Sequence, residues 1–116
     1  MTADAEPGES PHALTPGLRA YAVGDVHGHA ALLDGMFARV ARDLQERPHA
    51  GDVLEVFLGD YVDRGPDSAG VVERLAAPPA PGRRRVCLRG NHEEALLDFL
   101  DDPATLPRWA AFGGLE

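Results

Sequence analysis

Apolar residues along this chain follow two rhythms that alternate. Nearly continuous apolar stretches run from Arg19 to Val23, from Asp52 to Leu58 and from Arg84 to Leu88. A glycine with a polar neighbour stands just beyond each: Gly24-Asp25, Gly59-Asp60 and Gly90-Asn91. Short runs of this kind predict strands, and their weak in-out alternation predicts cover on both sheet faces. Between them the spacing turns helical. Leu32, Leu33, Met36, Phe37, Val40 and Leu44 share one face of a helix predicted over residues 30–46, with Pro48 beyond its end. Pro66 is placed to open a second helix with Val71, Val72 and Leu75 on its inner face, and the run Pro78-Pro79-Ala80-Pro81-Gly82 closes it as a stiff loop. A third helix over residues 91–100 turns Leu96, Leu97 and Leu100 inward, and a short further piece spans Leu106 to Phe112.

Strand and helix thus alternate three times, at intervals that fit βαβ units of roughly 30 residues, which predicts an α/β fold. Right-handed crossovers make the three strands parallel and bring all three glycine-bounded turns to the carboxyl edge of one sheet. Open α/β sheets bind their ligands there. Residues 1–18, rich in proline, glycine and acids, bury too little apolar surface to offset ordering and are expected to form a disordered leader. His12 in that leader is expected to be solvated. The domain then occupies residues 19–116.

Charge and composition remove several function classes. The 116 residues carry 19 acidic and 11 basic side chains, a net charge of −8, and every basic residue is arginine. A general nucleic-acid binder would need a clustered basic surface. The one basic cluster, Arg83-Arg84-Arg85, reads as a solvated strand entrance. No apolar run approaches the roughly 20 residues of a membrane span, and the first residues lack the pattern of a secretory signal, so a cytoplasmic location is expected. Cys87 is the only cysteine; it excludes an intramolecular disulfide and a cysteine-built metal site, and reads as a small apolar residue of a buried strand.

The three turns hold the chemistry. Asp25 and His27 are one residue apart, a spacing that lets both side chains grip one ion. Asp60 and Asp63 lie in the middle turn, and Asn91 and His92 in the last. Unpaired carboxylates gathered at one sheet edge repel one another, and a pair of cations resolves that repulsion. Oxygen and imidazole donors suit manganese, iron or zinc. A two-metal site needs a bridging carboxylate, and Asp60 is central to the three turns.

Gly24-Asp25-Val26-His27-Gly28, Gly59-Asp60-Tyr61-Val62-Asp63-Arg64-Gly65 and Arg89-Gly90-Asn91-His92-Glu93 resemble the three N-terminal signatures of the calcineurin-like metallophosphoesterases. More narrowly, they resemble the serine/threonine phosphoprotein phosphatase branch. The resemblance runs from about Tyr21 to Glu116 and implies the N-terminal half of a β-sandwich flanked by helices, with two divalent ions, manganese favoured. It implies that Asp25 and His27 bind the first metal, that Asp60 bridges, and that Asn91 binds the second. It implies that His92, oriented by Asp63, protonates the leaving oxygen and that Arg64 clamps the phosphate of a phosphorylated protein or small phosphoester. Arg89 then either adds positive field for substrate or braces its loop, and bracing is favoured. Tyr61, Glu93 and Glu94 are read as structural, Glu93 as an aid to the first turn of its helix. His29 and His49 match no motif position and are expected on exposed helix or loop.

The family also draws histidines and a second phosphate-binding arginine from a C-terminal half that has no counterpart in these residues. Trp109 with Gly113-Gly114-Leu115-Glu116 resembles a family segment that normally continues. The resemblance therefore implies an N-terminal part of the domain, with little or no hydrolysis expected from it alone and the missing half as a partner. Two other readings stay open: a dinucleoside polyphosphate hydrolase, and a non-catalytic fragment that binds metal or phosphate.

Overall fold

A computed structural model describes residues 13–115. The expected leader lies outside the described residues as far as residue 12, His12 included, and Leu18 already belongs to the first strand. Strand β1 (Leu18–Val23) leads to helix α1 (Ala30–Glu46), β2 (Asp52–Phe57), α2 (Ser68–Ala76), β3 (Arg83–Cys87) and α3 (Asn91–Asp101); a short 3-10 turn (Pro103–Thr105) and α4 (Leu106–Ala111) follow. The strands form one parallel sheet in the order β1-β2-β3, so the middle strand in sequence is also the middle strand in space. Among the described residues no helix is long and apolar enough to cross a membrane.

One face of this sheet is covered. Val53, Glu55 and Phe57 of β2 are buried, whereas their alternates Leu54 and Val56 are only half-buried, which is the period-two signature of one packed face. Val23, Val26, Ala30, Leu33, Phe57, Tyr61, Val62 and Val71 form the core, and Met36, Phe37, Leu75 and Leu96 pack against it. The other face carries Leu54 and Val56, with Leu58, Val86 and Leu88 exposed beside them. Cover for this second face does not come from the described residues, which leaves apolar sheet surface bare, as the half-sandwich implied by the resemblance would.

Helix α1 has its predicted limits, but the packed stripes are narrower than the sequence pattern. Leu33 is buried while Leu32 is exposed, Val71 is buried while Val72 is exposed, and α3 turns Ala95 rather than Leu97 or Leu100 into the core. Each helix meets a single sheet layer, so only one row per helix finds apolar neighbours. Pro66 does not open α2. Asp67 is the N-cap instead, its carboxylate accepting from the Gly70 amide at 2.8 Å.

The arginine triplet is not a solvated entrance. Arg84 is exposed, but Glu55, only 3% exposed, accepts from Arg85 at 2.9 Å and from Arg83 at 3.3 Å. Arg85 also donates to the carbonyls of Arg74, Leu75 and Ala77, closing the C-terminal end of α2, and its guanidinium sits 5.2 Å from the Phe37 ring centroid. A buried carboxylate at the middle of the central strand needs such partners, and the register that sets Glu55 beside Arg85 supplies them. Cys87 is exposed, contrary to its reading as a buried residue, because it is the last residue of an edge strand.

Candidate metal centre

Parallel strands force the three glycine-bounded turns to one edge, and main-chain hydrogen bonds then lock the first onto the second. The amides of Val26 and His27 both donate to the Asp60 carbonyl, at 3.1 and 2.9 Å, and the Gly28 amide donates to the Tyr61 carbonyl at 2.8 Å. A Cβ on Gly65 would collide with the His27 carbonyl, so glycine is required where the two turns touch. Four non-glycine residues here, His27, Asp60, Asp63 and Arg64, hold positive φ angles of 41°, 59°, 72° and 70°. Left-handed backbone costs side-chain-bearing residues about 1–2 kcal/mol each, and here it is concentrated where the turns meet.

Asp25, His27 and Asp60 each offer a ligand atom, and these atoms all lie within 4.8 Å of one another. His27 Nδ1 lies 3.1 Å from the Val62 carbonyl, which can only accept, so the proton is on Nδ1 and Nε2 is left free to ligate. Among the described residues the arginine ion pairs go to Asp34, Asp43, Glu46, Glu55 and Asp98, none to Asp25 or Asp60. Two convergent carboxylates without a guanidinium, beside an imidazole aimed by its other nitrogen, fit a divalent cation of the manganese, iron or zinc kind.

Asp63 and His92 meet at the same edge. His92 Nδ1 lies 3.0 Å from Asp63 Oδ2, both side chains are buried, and the His92 ring centroid is 4.6 Å from that of His27. The carboxylate accepts, so His92 also keeps Nε2 free. Asn91 is the first residue of α3, exposed, beside Gly90, whose hypothetical Cβ would overlap the Asp60 carboxylate. Arg64 is exposed and donates through Nε to the Phe112 carbonyl at 3.4 Å. Arg89 is exposed as well. His29 stands exposed at the N-cap of α1, and half-buried His49 lies 2.9 Å from the Gly17 carbonyl, away from the turns.

Sequence reasoning undervalued two residues. Glu93 does more than serve its own helix: its carboxylate accepts from the amides of Gly90 (2.9 Å), Asp60 (2.6 Å), Tyr61 (2.8 Å) and Val62 (3.3 Å). It thereby ties the strained middle turn to the start of α3, a role no helix-cap rule anticipates because the turns are far apart in sequence. The second is Trp109, whose indole Nε1 lies 3.1 Å from each oxygen of Asp63. Tyr61 completes the lock, its one hydroxyl proton shared between the carbonyls of Phe57 at 2.9 Å and Leu88 at 2.7 Å. Burial pushes this phenol up to about 12.

The Calcineurin-like phosphoesterase family model matches residues 18–115. A serine/threonine-protein phosphatase 1 of Salmonella typhimurium is 36% identical over 78 residues, covering 67% of this chain and 31% of that protein. A putative serine/threonine-protein phosphatase of Caenorhabditis elegans is 36% identical over 72 residues, covering 61% of this chain and 18% of that protein. The serine/threonine-protein phosphatase BSL2 of Arabidopsis thaliana is 37% identical over 81 residues, covering 66% of this chain and 8% of that protein. The chain thus spans about a third or less of these relatives. With the three turns locked at one sheet edge and the family model running from β1 almost to the last residue, the chain belongs to the calcineurin-like phosphoesterases.

Proposed function

We propose that this chain carries the N-terminal, metal-binding part of a phosphomonoesterase that acts on phosphoserine or phosphothreonine in proteins. Family membership supports a hydrolase of phosphoesters, and the names of the relatives support the protein-phosphatase branch. The observation that carries the reading is the convergence of Asp25, His27 and Asp60 ligand atoms within 4.8 Å, next to a His92 held at 3.0 Å by Asp63.

In this reading Asp25, His27 and Asp60 hold one divalent ion, and Asp60 with Asn91 contributes to a second. Such ions, when bound, activate a water and neutralise charge on the phosphoryl oxygens. The residues of the chain do the rest. Asp63 fixes the His92 ring so that Nε2 points away from the carboxylate and carries the proton destined for the leaving oxygen. Arg64, left exposed on its strained turn, grips two phosphoryl oxygens with parallel hydrogen bonds, and Arg89 adds positive field or braces its loop. The second ion keeps few ligands within these residues, so a further segment or chain that supplies imidazoles belongs to the proposal, as does a cytoplasmic site of action.

Metal analysis tests the bridge. Asp60→Asn is expected to weaken the binding of both ions, and a stoichiometry equal to the parent's would remove Asp60 from that role. The 116-residue chain with added Mn²⁺ is expected to show little or no hydrolysis of an aryl phosphate; robust turnover would mean that its own residues complete the site.

A further inference from the structure

We propose that Trp109 is a positioning residue for the acid: its indole N–H fixes the plane of the Asp63 carboxylate, and through it the tautomer and direction of the His92 ring. The catalytic meaning rests on the reading of His92 as the acid. The hydrogen-bond coupling itself does not.

Asp63 is 6% exposed and receives two side-chain donors. His92 Nδ1 approaches Oδ2 at 3.0 Å, and Trp109 Nε1 approaches Oδ1 and Oδ2 at 3.1 Å each. An indole nitrogen donates and never accepts, so there is no ambiguity in the direction of this bond. A donor equidistant from both oxygens loses one of them when the carboxylate turns, so it adds a restraint on rotation to the one bond from His92. The Asp63 backbone is held separately, its amide donating to Ser68 Oγ at 3.0 Å. Position is therefore set from the chain side and orientation from the Trp109 side.

The identity of the donor matters. An arginine in the same place would orient Asp63 but would neutralise it as an ion pair. Indole is uncharged, so it orients the carboxylate without forming an ion pair with it. The indole is in turn immobilised. It stacks on Phe99 with centroids 5.0 Å apart, and Gly114 packs so closely that a Cβ there would overlap the ring. From the same short segment Phe112 places its ring 5.1 Å from the His92 ring. Helix α4 and the residues after it thus touch both members of the pair, although they lie far from the three turn motifs in sequence.

Trp109 is the only tryptophan in the chain, so a ¹H–¹⁵N spectrum of the 116-residue protein holds one indole signal. That signal is expected to be protected from hydrogen exchange, and Asp63→Asn is expected to move it and speed its exchange. In the neutral imidazole, observed at alkaline pH, the ring nitrogens of His92 in Trp109→Phe are expected to relax from the Nδ1–H form toward a mixture of tautomers. His27, tied to the Val62 carbonyl, should stay unchanged. An unshifted His92 in Trp109→Phe, or an indole signal indifferent to Asp63→Asn, would overturn the proposal. Should the phenylalanine variant fail to fold, biosynthetic replacement of tryptophan by benzothienylalanine keeps the shape and removes only the N–H, and the same His92 readout decides. In a version extended to the length of the relatives, Trp109→Phe should lower kcat about tenfold or more at unchanged KM and metal content. If His92→Asn leaves turnover intact while the His92 tautomer still depends on Trp109, the acid assignment fails and the positioning survives.

Discussion

The first and third turns both attach to the middle one, but by different means. On the β1 side the ties run mostly from main chain to main chain, from Val26, His27 and Gly28 amides to the Asp60 and Tyr61 carbonyls, with one side-chain bond from His27 to the Val62 carbonyl. On the β3 side they run through side chains: the Glu93 carboxylate, the Tyr61 hydroxyl, and Asp60 Oδ1 accepting from the His92 amide at 3.1 Å. The histidines differ in the same way. His27 leans on a neutral carbonyl, which suits the ligand role proposed for it; His92 leans on a carboxylate, which suits the proposed proton donor. The difference teaches that the turn of Asp25 keeps its shape mainly through its main chain, whereas the turn of His92 is held in place mainly by side chains.

The largest expected effect tests the two rings against each other. In a version extended to the length of the relatives, His92→Asn should cut kcat for an aryl phosphate by about 10²–10⁴-fold while metal content, read by elemental analysis, stays level. His27→Asn should instead lose metal. The opposite pattern would exchange the two roles.

Next comes the side-chain seam itself. Glu93→Ala strips a charged acceptor from four amides and should lower stability by about 3 kcal/mol in urea unfolding. Native-state hydrogen exchange should show faster exchange at Gly90 and Tyr61, with Val26 and His27 retaining protection. Uniform loosening of all three turns would erase the distinction between the seams.

Tyr61→Phe removes one hydroxyl that serves two carbonyls, and about 1 kcal/mol is expected. It also carries a pH signature. Burial raises the phenol from 10.0 to about 12, so the folded protein keeps the proton in a range where the unfolded chain has released it. The contribution is complete below the unfolded value and is lost as pH rises through the folded one. Urea midpoints measured across that alkaline window should fall in the parent and fall less in Tyr61→Phe.

The smallest effect falls on the main-chain seam. Asp25 is exposed, and Asp25→Asn should change the stability of the metal-free protein by no more than about 0.5 kcal/mol, because its carboxylate makes no hydrogen bond in the turn and only approaches His27 Nε2 at 3.7 Å. Calorimetric titration with Mn²⁺ should nonetheless show weaker binding. A large loss of stability without metal would place Asp25 among the structural residues.

Much of this arrangement was legible in the sequence, because strand runs, helix periods and glycine-bounded turns are local patterns, and parallel topology turns three local patterns into one edge. Helix α1 was readable to the residue for that reason. The pairing of Arg83 and Arg85 with Glu55 was not, since it depends on register between strands. The exposure of Leu97 and Leu100 was missed because periodicity identifies an apolar stripe without saying how wide a surface awaits it. Glu93 looked like a helix-start residue from its own neighbourhood, and its other three partners lie some thirty positions away. Trp109 lacked any local signal of its partnership with Asp63.

The four left-handed residues at the edge have an evolutionary consequence. Glycine at Arg64, whose exposed side chain makes one hydrogen bond at 3.4 Å, would relieve backbone strain and, judged by folding alone, would improve the protein. At His27, Asp60 and Asp63 the same relief is set against side-chain hydrogen bonds to Val62, His92 and Trp109. Under the proposed function, selection for thermal endurance and selection for turnover pull in opposite directions at Arg64, and variants chosen only for hardiness should drift toward glycine there and lose turnover.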